Sequence, residues 1–395
     1  MIASVATLCH IHKDLASRHS LRVLCYSDPL STFILMPIEF SEDKEKPQVS
    51  LTFTVSNNIV HTPRMNPTEC EDRAEVFEDE NCIDILIADG ATGVGGKTMN
   101  GKAPGWYAVE KVAQEFGSDA RKKGPQEFVT EVNRALRTEL TSLVGRGELN
   151  MQEMTDLCSA VCVVVRIGKK DGALRFAATK ADCWLLVHRA DDSMHWLTSD
   201  PEADMDYGII KTSYDLMKAG EISEMKGSLV HPDVAAAVLR GRSDANHPSG
   251  KGNGRINGAP DACLALYVED NEANPFVLQL GDNVISGTDG FFPLMPRAIF
   301  EEKDPVSAAK AGREYQRRYV EAAIRAGGPQ KLLEELIHRE TVEDPNGIRY
   351  PHIKDKTGDD KALVQVVVSA SSGNYKRQVI KTIGDGERHH LLSIL

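Results

Sequence analysis

The chain has 395 residues, of which 41% are hydrophobic and 26% are charged, so it can bury a sizeable core. Its formal net charge of −12 argues against a nucleic-acid partner, because a phosphate backbone is bound by a basic surface. No apolar stretch approaches the ~20 residues that a membrane-spanning helix needs, so we also expect no membrane partner.

The first patterned part of the chain predicts strands followed by two helices. Residues 50–60 are rich in β-formers, and two apolar runs flank the polar residues 78–81, which predicts a hairpin. The second run, residues 83–88, is continuously apolar, as expected of a strand that is buried on both faces. Apolar residues at helical spacing then predict helices at 104–117 and about 125–144.

Short strands with polar turns follow, and they predict an antiparallel meander at residues 158–168, 172–181, 183–190 and 193–199. Residues 200–255 are less regular, and the Gly/Asn/Ser-rich residues 241–260 predict a mobile loop. Further strands are predicted at 262–270, 276–281, 283–290 and 362–370, and helices at about 305–326 and 329–340. Because strands and helices come in blocks, the sequence predicts an α+β fold with antiparallel sheets covered by helices.

The cysteines and the N-terminal residues indicate the cellular compartment of the protein. The eight cysteines are scattered and form no C-x-x-C pair, which favours reduced thiols in a cytoplasmic protein over disulfides or a zinc site. The N-terminus lacks a basic start followed by a clean apolar block, which argues against a signal peptide. Residues 1–35 fit none of the later patterns, and Met36 is an alternative start.

The glycine-rich turn after residue 88 allows two interpretations. Ala91–Thr98 fits the loose phosphate-loop pattern, with Lys97 as the phosphate ligand. A phosphate loop needs a parallel sheet and a helix that begins at its Lys-Thr pair, and the glycines and proline after Thr98 are incompatible with such a helix. We therefore favour a turn that binds a metal ion through Asp89.

Aspartates recur at the ends of the predicted buried strands. Asp89 and Asp289 each precede a glycine at the end of an apolar run, and Asp359-Asp360 precede the last strand. Asp182 lies between two strands of the predicted meander. Each of them alone is typical of an ordinary turn, but carboxylates gathered at one sheet edge can hold divalent cations, which prefer oxygen ligands.

The order of these blocks resembles that of the metal-dependent PPM protein phosphatases, the type 2C serine/threonine class. The resemblance spans about residues 64–370, and its blocks are ECEDRAEVF, ILIADGATGVGG, CSAVCVVVRI, ATKADCWLLVHRADDSMHWLTSDP, LQLGDNVISGTDGFF and GDDKALVQVVV. It implies a four-layer sandwich, in which two antiparallel β-sheets are flanked by helices.

The resemblance also implies a binuclear metal centre. Asp89 would bridge two Mn²⁺ or Mg²⁺ ions, and the Gly90 carbonyl would bind one of them. Asp289 and Asp359 would complete the ligands of the first ion. A hydroxide shared by the two ions would then attack a phosphomonoester, which makes Asp89, Asp289 and Asp359 the catalytic residues.

Three further residues have roles that the resemblance implies. Asp72 would act on the metal through water, and Asp182 would help to bind a third, weaker ion. Arg64 is the candidate for binding the substrate phosphate. The chain departs from the family pattern at Ala91, where a histidine is frequent, and at Ala181 and Cys183, where glycine and serine are expected.

The resemblance also sets the expected domain organisation, substrate and rival function. Residues 1–49 would be an N-terminal extension, in part mis-annotated or disordered sequence, and residues 50–380 the phosphatase domain. That domain would carry a variable flap at about 200–255, and residues 381–395 would form a C-terminal tail. We expect a monomer that acts on phosphoserine or phosphothreonine in proteins. The alternative is a weak or inactive pseudophosphatase that serves as a regulatory binding module.

Overall fold

A computed structural model describes most of the chain between residues 51 and 370. The described residues are 10–11, 23–24, 51–60, 70–91, 99, 102–147, 158–198, 203–222, 231–243, 245–246, 254–269, 276–293, 296–302, 304–341 and 360–370. The chain divides into two units, Met1–Val49 and Ser50–Leu395. In the first unit, the described strands β1 (His10–Ile11) and β2 (Val23–Leu24) pair antiparallel.

The second unit contains two antiparallel sheets. Its strands are β3 (Leu51–Val60), β4 (Arg73–Glu78), β5 (Cys82–Gly90), β6 (Ala160–Gly168), β7 (Ala173–Thr179), β8 (Trp184–His188), β9 (Met194–Trp196), β10 (Leu266–Glu269), β11 (Phe276–Val277), β12 (Asn283–Gly287) and β13 (Lys361–Ala370). The first sheet has the order β10-β7-β6-β5-β4, with β11 paired to β7. The second sheet has the order β3-β13-β12-β8-β9.

Four of the six described helices of this unit begin at a proline. The six helices are α1 (Pro104–Phe116), α2 (Pro125–Gly145), α3 (Ala203–Ala219), α4 (Pro232–Ser243), α5 (Arg297–Phe300) and α6 (Pro305–Thr341). Pro104 and Pro125 occupy the first turns of α1 and α2, where a missing N–H is tolerated. Helix α6 is broken at Gly327 and Gly328, and Gly328 adopts φ 75°. The two helices predicted on either side of this glycine pair are therefore confirmed.

Three apolar clusters show how the layers stack. Along β5, Ile83, Ile85 and Ile87 face a core that also receives residues of the second sheet. Leu86 and Ala88 face the opposite way, into a core formed with α1 and α2. On the outer side of the second sheet, residues of α6 pack against β8, β12 and β13. The order is helices, sheet, sheet, helix, so the predicted α+β sandwich of two antiparallel sheets is confirmed.

Two local predictions were wrong. The predicted meander is divided, because β6 and β7 belong to the first sheet while β8 and β9 belong to the second. The less regular region 200–255 contains the helices α3 and α4. Among the described helices, none combines the length and hydropathy that crossing a bilayer requires.

The described part of the predicted mobile loop is buried and hydrogen-bonded. Asn246 is 3% exposed, and its side-chain amide donates to the carbonyl oxygen of Arg255 across 2.6 Å. Ile256 exchanges two backbone hydrogen bonds with Ala160 at the start of β6. These contacts attach residues 254–256 to the first sheet, and the composition of the loop did not predict them.

Candidate metal centre

Three aspartates meet at the end of the sandwich. Asp89 follows Ile87 on the same face of β5, and that face is directed toward the other sheet. Asp289 lies two residues beyond the end of β12, and Asp182 lies in the connection from β7 to β8. Their carboxylate oxygens lie within 4.8 Å of one another, and each side chain is partly exposed. We call Asp89, Asp182 and Asp289 the aspartate cluster.

Mutual repulsion within the aspartate cluster favours a bound cation. Two unit charges about 4 Å apart repel by about 4 kcal/mol at an effective dielectric constant of ~20, which suits partly buried groups. A cation bound between the three carboxylates would offset this repulsion. Carboxylate and carbonyl oxygens are the ligands that Mg²⁺ and Mn²⁺ prefer, so the donor set fits these ions.

A further buried carboxylate is that of Asp360, which directly precedes β13 and whose backbone lies against Gly290, the residue after Asp289. Asp360 is 4% exposed, and its Oδ2 accepts a hydrogen bond from the backbone N–H of Glu71 across 2.8 Å. Its Oδ1 is buried and has no hydrogen-bond partner among the described residues. A buried carboxylate oxygen without a donor is costly, so this atom is also suited to a cation.

Asp72 is held by the second sheet. Its Oδ2 accepts a hydrogen bond from the hydroxyl of Thr288 across 2.7 Å. The same hydroxyl oxygen accepts the backbone N–H of Ala362, and the Thr288 N–H donates to the Ala362 carbonyl. Asp72 is 4% exposed and does not belong to the aspartate cluster. The arrangement fixes the start of β4 to the end of β12.

The turn after β5 is tightly packed around Gly90. The Gly90 N–H donates to the carbonyl of Glu71, and the Ala91 N–H donates to the carbonyl of Ser159, both across 3.0 Å. A Cβ at Gly90 would lie 2.7 Å from the backbone C and O of Gly105. Only glycine allows this approach of the turn to α1, which fixes the position of the Gly90 carbonyl.

The phosphate-loop interpretation lacks its required context. Residues 92–98, which include Lys97 and Thr98, lie outside the described residues. Helix α1 begins at Pro104, and β5 pairs antiparallel with both of its neighbours. A phosphate loop requires a parallel sheet and a helix that begins at the Lys-Thr pair.

The thiols near the cluster are unsuited to nucleophilic catalysis. Cys183 is 1% exposed, and burial, followed by the negative charge of Asp89, raises its pKa well above the ordinary value. Burial also raises the pKa of Cys162 to about 12. Because the thiolate is the nucleophile, neither side chain supplies one near neutral pH.

Two of the expected site residues are not described by the structure. Arg64 and Asp359 lie outside the described residues, so their roles stay predictions. Asp182, which the resemblance assigned to a separate third ion, lies in one group with Asp89 and Asp289. Thr288 was missed by sequence reasoning, because no local pattern marks a residue whose partner is 216 positions away.

Among known proteins, only solved structures with a similar fold match this chain. No protein-family model and no curated protein matches the chain. The S. agalactiae serine/threonine phosphatase is 15% identical with a TM-score of 0.39, and the match covers 81% of this chain and 100% of that one. The catalytic domain of the serine/threonine phosphatase PstP, in complex with two manganese ions, is 12% identical with a TM-score of 0.38, covering 81% and 98%.

A third solved structure carries the name of the family. The PPM Ser-Thr phosphatase MsPP from Mycobacterium smegmatis, in complex with cacodylate, is 14% identical with a TM-score of 0.37, and the match covers 81% of this chain and 98% of that one. At identities and TM-scores this low, we infer function from the residues of the chain itself. The chain is thus similar to structures named as PPM and serine/threonine phosphatases, and the family that its sequence blocks resemble is the same.

Proposed function

We propose that the chain is a metal-dependent phosphomonoester hydrolase that dephosphorylates phosphoserine and phosphothreonine in proteins. The observation that carries this proposal is the aspartate cluster, whose three carboxylates lie within 4.8 Å of one another at the end of both sheets. The order of the sequence blocks supports the choice of phosphomonoesters over other substrates of metal-dependent hydrolases.

The proposed metal is Mn²⁺ or Mg²⁺, as two or three ions. Asp89, Asp182 and Asp289 would hold them, together with the Gly90 carbonyl and a carboxylate from Asp359 or Asp360. Bound ions of this kind activate water near neutral pH and offset negative charge on phosphoryl oxygens. The buried Asp360 and the restricted turn at Gly90 support this set, because they present oxygen atoms without large rearrangement.

The remaining residues of the site orient these ligands. The hydrogen bond from Thr288 to Asp72 keeps the carboxylate of Asp72 in place, where we propose that it acts through water. The backbone hydrogen bonds of Gly90 and Ala91 hold the end of β5 against its neighbours. Arg64 stays our candidate for the phosphate contact. No histidine occupies position 91, so we assign no general acid to the chain.

We propose that the protein works in the cytoplasm as a monomer, without a nucleic-acid or membrane partner. The net charge of −12 supports the exclusion of a nucleic-acid partner, because nucleic acid is bound by basic surfaces. The described cysteines, Cys70, Cys82, Cys158, Cys162, Cys183 and Cys263, are free thiols, which supports a reducing compartment.

Hydrolysis of an aryl phosphate tests the proposal. We expect the full chain to hydrolyse it with Mn²⁺ and to lose the activity with chelator. Asp89→Asn and Asp289→Asn should each lower kcat by at least ~100-fold, because each removes a charged ligand. Asp192→Asn is the matched control, since Asp192 is exposed and pairs with His188.

Two results would contradict the proposal. An inactive wild type that still binds protein partners would favour the pseudophosphatase alternative, a regulatory binding module. Full activity of Asp89→Asn would remove the aspartate cluster from the mechanism.

A further inference from the structure

The start of β6 has a neighbour on each side, at the end of the first sheet where Asp89 lies. On one side, Ala160 pairs with Gly90, the residue after Asp89. On the other side, Ala160 exchanges two backbone hydrogen bonds with Ile256, across 2.8 and 3.0 Å. Further along β6 that second side belongs to β7, whose pairing with β6 includes Val163 and later residues. Ile256 therefore takes the place of β7 next to the turn that carries Asp89.

The chain that leaves β7 is bonded to the same segment. Lys180 follows the last residue of β7 and lies two residues before Asp182. Its carbonyl accepts the N–H of Gly254 across 3.0 Å, and its own N–H donates to the carbonyl of Ala265 across 3.2 Å. We call residues 254–256 the bridging segment, because they join the start of β6 to the connection that leads to Asp182.

The bridging segment is packed closely on its neighbours. A Cβ at Gly254 would lie 1.8 Å from the carbonyl oxygen of Ala265 and 2.9 Å from the backbone nitrogen of Lys180. Ile256 is fully buried and belongs to the core that the first sheet forms with α1 and α2. The segment therefore sets the separation between the start of β6 and Lys180.

One buried side chain, that of Asn246, holds the bridging segment. Its amide donates to the carbonyl of Arg255 across 2.6 Å and to the Oδ1 of Asn257 across 2.9 Å. Its Oδ1 accepts the backbone N–H groups of Arg255 and Ala265 across 3.1 and 3.4 Å. Because Ala265 also accepts the N–H of Lys180, Asn246 ties together the two pieces of chain on either side of Lys180.

We propose that Asn246 is a positioning residue of the candidate metal centre. By fixing the bridging segment, it sets the distance between Asp89 and Asp182 and thereby the affinity of the aspartate cluster for Mn²⁺. The inference rests on the metal centre of the proposed function and adds a residue that acts through backbone hydrogen bonds, not as a ligand. Carboxylates repel one another, so a cation binds them tightly only where the surrounding structure already holds them at the right separation.

The competing explanation is that Asn246 only stabilises the fold, and Asn133 on α2 supplies the matched control. Asn133 is fully buried, its amide donates to the carbonyl of Ala259 across 2.8 Å, and its Oδ1 accepts the N–H of Gly258 across 2.9 Å. These two bonds hold the same stretch of chain beyond the bridging segment. A purely structural role predicts that changes at the two asparagines have the same effect on metal affinity.

Electron paramagnetic resonance of free Mn²⁺ tests the inference by measuring the Kd of the full chain. Asn246→Gly removes the side chain and suits the φ of 56° at this position. We expect it to raise the Kd for Mn²⁺ about tenfold, the lower end of the range for residues that orient metal ligands. Asn133→Ala should change the Kd by less than about twofold, although both variants should have a lower Tm.

Two further variants sharpen the test. In an Asp182→Asn background, Asn246→Gly should raise the Kd by less than about twofold, because the position of residue 182 then matters less. Gly254→Ala should raise the Kd in the same direction as Asn246→Gly, because the added Cβ forces the bridging segment away from Lys180. Circular dichroism establishes that each variant is folded, and Asn246→Gly decides alone if Gly254→Ala unfolds.

The outcomes separate this inference from the proposed function, because Mn²⁺ binding is measured without hydrolysis. If the wild type binds Mn²⁺ but leaves an aryl phosphate intact, the proposed function fails, and the Kd values still decide the inference. An unchanged Kd in Asn246→Gly, or an equal rise in Asn133→Ala, would overturn the inference. A wild type that binds no Mn²⁺ would overturn both.

Discussion

The hydroxyl of Thr288 donates a hydrogen bond to the Oδ2 atom of Asp72 across 2.7 Å and thereby joins the two sheets. Asp72 precedes β4 in the first sheet, and Thr288 follows β12 in the second. Both residues are buried, and the aspartate cluster lies at the same edge. This bond therefore links the two sheets next to the candidate metal centre.

We predict that Thr288→Val destabilises the protein by about 1–3 kcal/mol, because it removes the hydrogen bond that the hydroxyl donates to the buried carboxylate of Asp72. Thr288→Ser keeps the hydroxyl and should destabilise the protein less than half as much as Thr288→Val. Urea denaturation of both variants in chelator measures the difference in the free energy of unfolding. Equal destabilisation by valine and serine would show that the hydroxyl contributes nothing.

Asp182 should contribute to the same metal centre as Asp289, because their carboxylate oxygens belong to one group. We predict that Asp182→Asn and Asp289→Asn each raise the Mn²⁺ concentration for half-maximal phosphatase activity at least ~10-fold. Asp192→Asn should leave it unchanged. An effect confined to Asp289→Asn would return Asp182 to the separate third site that the resemblance implies.

The metal-free protein should be destabilised by its own aspartate cluster. In chelator we predict that Asp182→Asn raises Tm by about 2 °C or more, because the repulsion of Asp182 by both Asp89 and Asp289, worth about 1 kcal/mol or more, disappears. In saturating Mn²⁺ the wild type should instead have the higher Tm, since an ion at 100 times its Kd stabilises the wild type by about 2.7 kcal/mol. Thermal scans with and without Mn²⁺ measure this. A lower Tm for the variant in both conditions would contradict it.

Gly90 should tolerate no side chain. A Cβ there would lie 2.7 Å from the backbone of Gly105, so Gly90→Ala should destabilise the protein by about 1–3 kcal/mol or more. Gly145→Ala is the control, because Gly145 ends α2 in open space, and the change should stabilise by about 0.5–1 kcal/mol. Chemical denaturation compares the two. A neutral Gly90→Ala would mean that the turn is not restricted as described.

The buried thiols should resist alkylation. A thiol with a pKa of about 12, as at Cys162, is ionised in about one molecule in 10⁴ at pH 8, against about a quarter at the usual pKa of 8.5. We therefore predict that iodoacetamide at pH 8 leaves Cys158 and Cys162 unmodified in the native protein and modifies them in urea. Peptide mass spectrometry reads this out, with the partly exposed Cys263 as the internal reference. Loss of phosphatase activity in step with modification of Cys162 would favour a cysteine nucleophile.

Local sequence signals predicted the elements well. The polar residues 78–81 between two apolar runs predicted the hairpin of β4 and β5, which pair antiparallel. The helices predicted separately at about 305–326 and 329–340 match the two parts of α6, which is broken at Gly327 and Gly328. Such signals depend on a few neighbouring residues, so a single sequence contains them.

Pairings between distant residues could not be predicted in the same way. A strand pattern does not state which sheet receives the strand, so the change of sheet between β7 and β8 was missed. The Gly/Asn/Ser-rich composition around Asn246 predicted a mobile loop and gave no sign of the tertiary hydrogen bonds that bury that residue. The Asp-Gly turns identified Asp89 and Asp289 as candidates, whereas their distance from Asp182 depends on how the sheets stack.

Crystals of the full chain soaked in Mn²⁺ test the central claim most directly. An anomalous difference map recorded at the manganese edge locates the ions without reference to activity. We predict at least one strong peak in contact with the carboxylates of Asp89, Asp182 and Asp289, and its disappearance after a soak in chelator. A fully soaked crystal with no peak among these three residues would contradict the account.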